Sequence, residues 1–246
     1  MKNRDQWTPS KYVFTKRKLK ASRNPKEVMI SSRLSADMIA ACYQKHIPLH
    51  VTGRLLDLGC GKVPLFETYK NYITENICVD WGNSLHKNPY LDFEADLNNE
   101  INLPGESFDT VILSDVLEHI RYPEKLMKEI NRLLKPHGKL LMSVPFFYWL
   151  HEQPYDYFRY TRHALETITK DAGLTIVSLE EYGGAPEVFT DIFAKTIVSL
   201  RSIGKPIASA AQGFTSAFVS TRIGRRYSAK TRSKFPLGYF LIAQRV

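Results

Sequence analysis

An α/β fold, a mostly parallel sheet with helices on both faces, is predicted by three features of the sequence. From Arg54 onward, short apolar runs of strand length alternate with stretches of helical periodicity, the pattern of strand-helix-strand units. The first run, Leu55-Leu56-Asp57-Leu58, stops at Gly59-Cys60-Gly61, where glycine permits a tight turn. The 246-residue chain is also long enough to close a core unaided, since a chain of this size buries roughly 70% of its unfolded surface.

Residues 1–26 are polar and basic without periodicity, which predicts a mobile arm or lid. Val28, Leu34, Met38, Ile39 and Cys42 then recur at helical spacing ahead of His46-Ile47-Pro48, giving a helix that leads into the core. After the glycine turn a helical stretch runs through Leu65, Phe66, Tyr69 and Ile73. Further strands are expected at Ile77 to Val79, Tyr90 to Ala95, Thr110 to Leu113 and Leu140 to Val144. Pro123 opens a crossover helix through Leu126, Ile130, Leu133 and Leu134, closed by Pro136-His137-Gly138. Thr161 caps another helix, with Leu165 and Ile168 on one face and Gly173 as its left-handed stop.

Strands at Leu174 to Leu179 and Gly238 to Ala243 complete the sheet, and the segment between them is too long for a bare connection. Phe189, Ile192, Phe193, Thr196, Ile197, Leu200 and Ile203 mark one amphipathic helix there; Ile207, Ala211, Phe214, Phe218 and Ile223 mark a second. The organisation is thus a basic N-terminal arm (1–33), a ligand-binding core (34–182), an amphipathic helical insertion (183–235) and a final core strand (236–246).

Composition narrows the functional classes. Cys42, Cys60 and Cys78 are odd in number, with no pair at C-x-x-C spacing, so neither a disulfide framework nor a zinc site is expected, and a reducing cytoplasm suits the chain. Residues 1–33 lack the apolar run of a secretory leader. The longest apolar stretch, Leu140 to Leu150, is interrupted by Pro145 and falls short of the roughly 20 residues that span a bilayer. The formal charge of +9 is divided unevenly: +8 over residues 1–33, −9 over 34–194 and +10 over 195–246, where no acid occurs. Such ends suit an anionic partner, a membrane surface or a nucleic acid, around a core that does not.

The chemistry concentrates at strand ends. A dinucleotide site requires G-x-G-x-x-G, but Pro64 holds the third position and Asp57 would repel a pyrophosphate. A carboxylate there instead suits a cationic nucleoside. Asp80 closes the next strand, 21 residues beyond Gly59, where a carboxylate can accept from both ribose hydroxyls. Asp96-Leu97 closes the one after, offering an acceptor for an adenine amino group.

Leu55-Leu56-Asp57-Leu58-Gly59-Cys60-Gly61, Val79-Asp80, Ala95-Asp96-Leu97, Phe108-Asp109-Thr110-Val111-Ile112 and Val116-Leu117-Glu118-His119 resemble, in order and spacing, the class I S-adenosylmethionine (SAM)-dependent methyltransferases, of the type 11-like kind. The resemblance covers about half the chain. It implies a Rossmann-like seven-stranded sheet with the last strand antiparallel, SAM as cofactor, and cofactor contacts at Asp57, Gly59, Gly61, Asp80, Asp96 and Ser114, with Cys60, Trp81, Leu97 and His119 beside them. Val63 departs from the family, many members of which carry a third glycine there.

Methyl transfer is an in-line displacement in which positioning dominates, so a base is needed only if the acceptor must lose a proton, and no metal is required. His119, His151 and Asp156 are the candidate bases. The run His151 to Thr161 follows the fifth strand and offers His151, Tyr155, Tyr157, Arg159 and Tyr160 as an acceptor wall; alternatively Arg159 pairs with Asp156 and the tyrosines are half buried. This loop resembles one in methyltransferases of bacterial surface-glycan biosynthesis, which implies a glycan or lipid-linked glycan acceptor; the charge map agrees with a cytoplasmic chain that is peripheral at the inner face of the membrane. The basic amphipathic helices would rest on the anionic leaflet, cover the active site, or form a dimer face. An RNA methyltransferase is the main rival, although Ser114-Asp115-Val116 replaces the Asn/Asp-Pro-Pro-aromatic motif of base-amine methylation. A non-catalytic SAM-binding scaffold is the other.

Overall fold

The computed structural model describes residues 1–82 and 88–246. Seven strands form one mixed sheet: β3 (Gly53–Leu58), β4 (Ile73–Asp80), β5 (Phe93–Glu94), β6 (Phe108–Ser114), β7 (Leu134–Pro145), β8 (Leu174–Tyr182) and β9 (Gly238–Arg245), in spatial order β5-β4-β3-β6-β7-β9-β8. β9 pairs antiparallel with both β7 and β8, while the pairs from β5 across to β7 are parallel. The expected Rossmann-like sheet with its last strand reversed is therefore present.

Strand alternation divides the core into two layers. Leu56, Leu58, Val111, Leu113, Leu140 and Met142 face one side, against α3 (Pro123–Leu133) and α4 (Arg162–Asp171). Leu55, Cys78, Ile112, Leu141 and Phe240 face the other, against α1 (Arg33–His50). Thr161 caps α4 as expected, its side chain accepting from the Ala164 N–H, and Gly173 is left-handed at φ 78.

Five expectations about elements are corrected. Residues 1–26, expected as a mobile arm or lid, include a hairpin: β1 (Tyr12–Thr15) and β2 (Lys18–Ala21) pair antiparallel, and Tyr12, Leu19 and Ala21 join the second core layer. The crossover helix ends at Leu133, and Leu134 and Pro136-His137-Gly138, expected to finish and close it, lie in β7. The helix after the glycine turn is only α2 (Phe66–Tyr69), and Ile73 already belongs to β4. The Tyr90 to Ala95 strand contracts to Phe93–Glu94, and just before it the Asp92 carboxylate accepts from the Cys78 N–H. The insertion holds three helices rather than two, α5 (Ala185–Ile197), α6 (Gly204–Ser220) and α7 (Arg222–Thr231), with the Thr221 hydroxyl capping the last. Among the described residues, no helix is long and apolar enough to cross a membrane.

Candidate active site

In an open parallel sheet, ligands bind beyond the strand carboxyl ends where the strand order reverses. Here that point is β3, between β4 and β6; Leu58 is in register with Val79 on one side and Leu113 on the other. A cleft of about 580 Å³ opens there. Asp57, Asp80 and Asp96, read from three separate strand ends, all line it, as do Ser114 and His119.

The floor is the turn after β3. Gly59 (φ 65) and Gly61 (φ 48) are both left-handed, and a Cβ on Gly59 would lie 2.5 Å from Val116 Cγ2. Backbone can approach a ligand there because no side chain intervenes. The Gly59 and Cys60 N–H groups donate to Val79 O, and Gly61 N donates to Asp80 Oδ2 at 2.9 Å. Val63, the departure from family pattern, adopts φ 50 with its side chain fully buried. Its carbonyl accepts from Trp7 Nε1 at 3.1 Å, so the N-terminal segment braces a turn that glycine would make without strain.

The carboxylates differ in environment. Asp57 is buried and accepts from the Tyr69 hydroxyl at 3.1 Å. Burial raises its carboxyl to about 7, with the Asp80 charge adding to the rise and the Tyr69 hydrogen bond opposing it. Asp80 Oδ1 accepts from the Trp81 N–H at 2.7 Å, and the Trp81 ring meets Tyr155 edge-on at 5.0 Å. Asp96 is exposed and shapes its own turn, accepting from Asn98 and Asn99, while Leu97 packs into the core.

The 146–160 loop forms the opposite wall. Tyr155 and Tyr157 line the cleft. His119 Nδ1 lies 2.9 Å from Tyr155 O; a carbonyl only accepts, so Nδ1 carries the hydrogen, and a neutral ring keeps its lone pair on Nε2. His151 stands behind, its ring centroid 4.8 Å from that of His119. Burial and then the charge of His119 lower its pKa.

The other predicted site residues do not reach the cleft. Asp156, a candidate base, is held by two hydrogen bonds from Arg159 (2.6 and 2.7 Å) and one from the His151 N–H. Burial would raise its carboxyl, but the Arg159 hydrogen bonds prevail and lower it to about 2, too acidic for proton abstraction at neutral pH. Arg159 also donates to Tyr148 O, Trp149 O and Phe158 O, so it clamps the loop instead of lining an acceptor wall. Tyr160 is buried, donating to Leu117 O.

Lys11 and Asp115 line the cleft although the sequence reading did not name them as site residues. Lys11, from the N-terminal hairpin, lies 3.0 Å from Asp115 Oδ2, and Ser143 donates to Asp115 Oδ1 at 2.8 Å. Asp115 is left-handed at φ 53. Glu118 is fully buried with no hydrogen-bond partner for either carboxylate oxygen, and burial holds its pKa well above the usual range. Glu118, His119 and His151 bring one donor atom each within 4.8 Å of one another, the one such group among the described residues that could hold a metal ion. The Asp115-x-x-Glu118-His119 spacing was visible, but not that the strand end turns back on itself.

The fold and the cleft define a class of enzymes built on a seven-stranded sheet with a cleft over the glycine turn. The chain belongs to the methyltransferase domain family, whose sequence profile matches residues 32–179. It is similar to the ubiquinone biosynthesis O-methyltransferase of Xanthomonas euvesicatoria pv. vesicatoria (strain 85-10), 31% identical over 37% of this chain and 42% of that one. It is similar also to the thiol S-methyltransferase TMT1B of Rattus norvegicus, 31% identical over 39% and 42%. The chain thus matches about two-fifths of the length of these relatives. A SAM-dependent methyltransferase from Archaeoglobus fulgidus shares the fold, with TM-score 0.53 and 18% identity over 83% of this chain and 92% of that one.

Proposed function

We propose that the chain transfers a methyl group from SAM to an acceptor held beneath the 146–160 loop. The observation that carries this reading is the convergence of Asp57, Asp80 and Asp96 on the cleft that also contains the Gly59-Cys60-Gly61 turn. SAM supplies a methyl group already activated by its sulfonium, so the protein's share is alignment and charge. Asp57 meets the ammonium, Asp80 accepts from the ribose hydroxyls, and Asp96 and Leu97 border the adenine. Cys60, Trp81 and Ser114 complete the cofactor wall. His119, through Nε2, takes a proton from the acceptor where one must leave, with His151 behind it.

For the acceptor we favour a glycan, free or lipid-linked. Tyr122, Tyr155 and Tyr157 offer aromatic faces beside the polar groups of Glu152 and Gln153. Aromatic faces match the apolar C–H surfaces of a sugar ring while carboxylate and amide bind its hydroxyls. Incubation with methyl-labelled SAM and a cell extract, followed by separation of lipid, glycan and RNA fractions, tests this. Label is expected in the glycan or lipid-glycan fraction. Label confined to RNA would overturn the acceptor, and SAM binding with no labelled fraction would favour a scaffold.

A further inference from the structure

Helices packed on a globular core direct their apolar stripe inward. In the 183–235 insertion most of the large apolar side chains face outward instead. α5 buries Val188 and Ala194 together with Glu187, Thr190, Asp191 and Lys195, while Phe189, Ile192 and Phe193 point outward. α6 buries Ala208, Gln212 and Thr215 and exposes Ile207 and Phe214, with Ile203 exposed just before it; α7 buries Gly224 and Ser228 and exposes Ile223 and Tyr227. Phe189, Phe214 and Ile223 are each at least 73% exposed.

Most of the buried polar groups are partnered, Asp191 Oδ1 being an exception, which makes the outward apolar face a built feature. Glu187 accepts from Gly184 N and the Ser228 hydroxyl, the Thr190 and Thr215 hydroxyls meet at 2.6 Å, and Gln212 bonds Leu34 N and Ile30 O. The outward apolar side chains stand among Arg201, Lys205, Arg222, Arg225, Arg226 and Lys230, none of which forms an ion pair among the described residues. From residue 195 to 246 there is no acid at all.

We propose that the outer face of α5, α6 and α7 docks on an anionic lipid bilayer, its phenylalanines and isoleucines entering the acyl boundary and its arginines and lysines meeting headgroup phosphates. An apolar face ringed by uncompensated cations is complementary to a surface that is apolar within and anionic at its rim. A second copy of the same face would set cations against cations, and a nucleic acid would leave the aliphatic side chains without a partner. The docking stands independently of which acceptor the cleft takes.

Vesicle flotation of the full chain tests it at low and high salt. Binding to phosphatidylglycerol-rich vesicles and little to pure phosphatidylcholine is expected. Phe189→Ser with Phe214→Ser and Ile223→Ser should lower the partition coefficient by about a hundredfold. Arg222→Gln with Arg225→Gln and Arg226→Gln should lower binding to anionic vesicles by about a hundredfold and flatten its salt dependence, Arg201, Lys205 and Lys230 keeping the remainder. These positions lie outside the cleft, so SAM binding by calorimetry and the melting temperature should stay at wild-type values in both variants, which separates failure of docking from failure of the methyltransferase reading. Equal binding to both vesicle types, or none, overturns the proposal. So does a sedimenting dimer that the serine variant dissociates without vesicle binding, or binding to poly(U) that only the arginine variant loses.

Discussion

Lys11 Nζ lies 3.0 Å from Asp115 Oδ2, joining the N-terminal hairpin to the end of the strand at the centre of the cleft. The contact crosses 104 residues of sequence, and Asp115 at φ 53 needs its partners to hold that conformation. Lys11→Ala should lower stability by about 0.5–1 kcal/mol, since the lysine is partly solvated. The melting temperature should fall by about 1–4 °C. A double-mutant cycle with Asp115→Asn measures the coupling, and strictly additive losses would deny it.

Asp57 predicts a pH dependence. Its carboxyl is raised to about 7 in the folded protein, against about 3.9 in an unfolded chain. Its contribution to stability is therefore full below about pH 4 and is lost as pH rises through about 7. A bound cation reverses the preference by favouring the carboxylate. SAM affinity should thus weaken by about tenfold for each pH unit below 7, with proton release on binding. Calorimetry in buffers of different ionisation heat reads both. Asp57→Asn should bind weakly with a flat profile; a steep profile retained in that variant would assign the dependence elsewhere.

His119 and Asp156 should separate in kinetics. His119→Asn is expected to lower kcat by about 10²–10³ on an acceptor that must be deprotonated. Asp156→Asn should keep kcat and lose stability, because its carboxylate is engaged by Arg159. Arg159→Lys retains the charge but not the fork of donors, and should lower the melting temperature by roughly 4–8 °C. Thermal melts and kcat measurements on the same three variants distinguish the roles.

Trp7→Ala removes both the hydrogen bond to Val63 O and the edge contact with Phe66 at 5.3 Å. The left-handed Val63, costing on the order of 1–3 kcal/mol, then loses its brace. Stability should drop by about 1–3 kcal/mol, and SAM affinity should drop with it because Gly59 and Gly61 share the turn. Unchanged affinity would mean that the turn holds its shape alone.

The sheet and the cleft floor were legible because their signals are local. Leu55 to Leu58 is a buried run, Gly59 and Gly61 mark the turn, and Asp57, Asp80 and Asp96 stand at strand ends that parallel pairing must align. The hairpin was hidden because its turn residues, Lys16 and Arg17, are left-handed without being glycine or asparagine. Periodicity identified the apolar faces of the insertion helices but not which way they point, since a stripe reads identically facing inward or outward. The Asp156 and Arg159 roles depended on where the loop folds, which spacing does not encode.

Tyr182 and Gly238 are register partners in β8 and β9, and Leu237 N donates to Tyr182 O at 2.9 Å. The polypeptide therefore departs from the sheet and rejoins it at touching backbone positions, however long the detour between them. A tight reverse turn could join the two strands with no change in register, so the sheet's own pairing does not depend on the length of the detour. What ties the detour down is its packing, Val188 in the core and Gln212 on Leu34 N and Ile30 O, not the strands it connects.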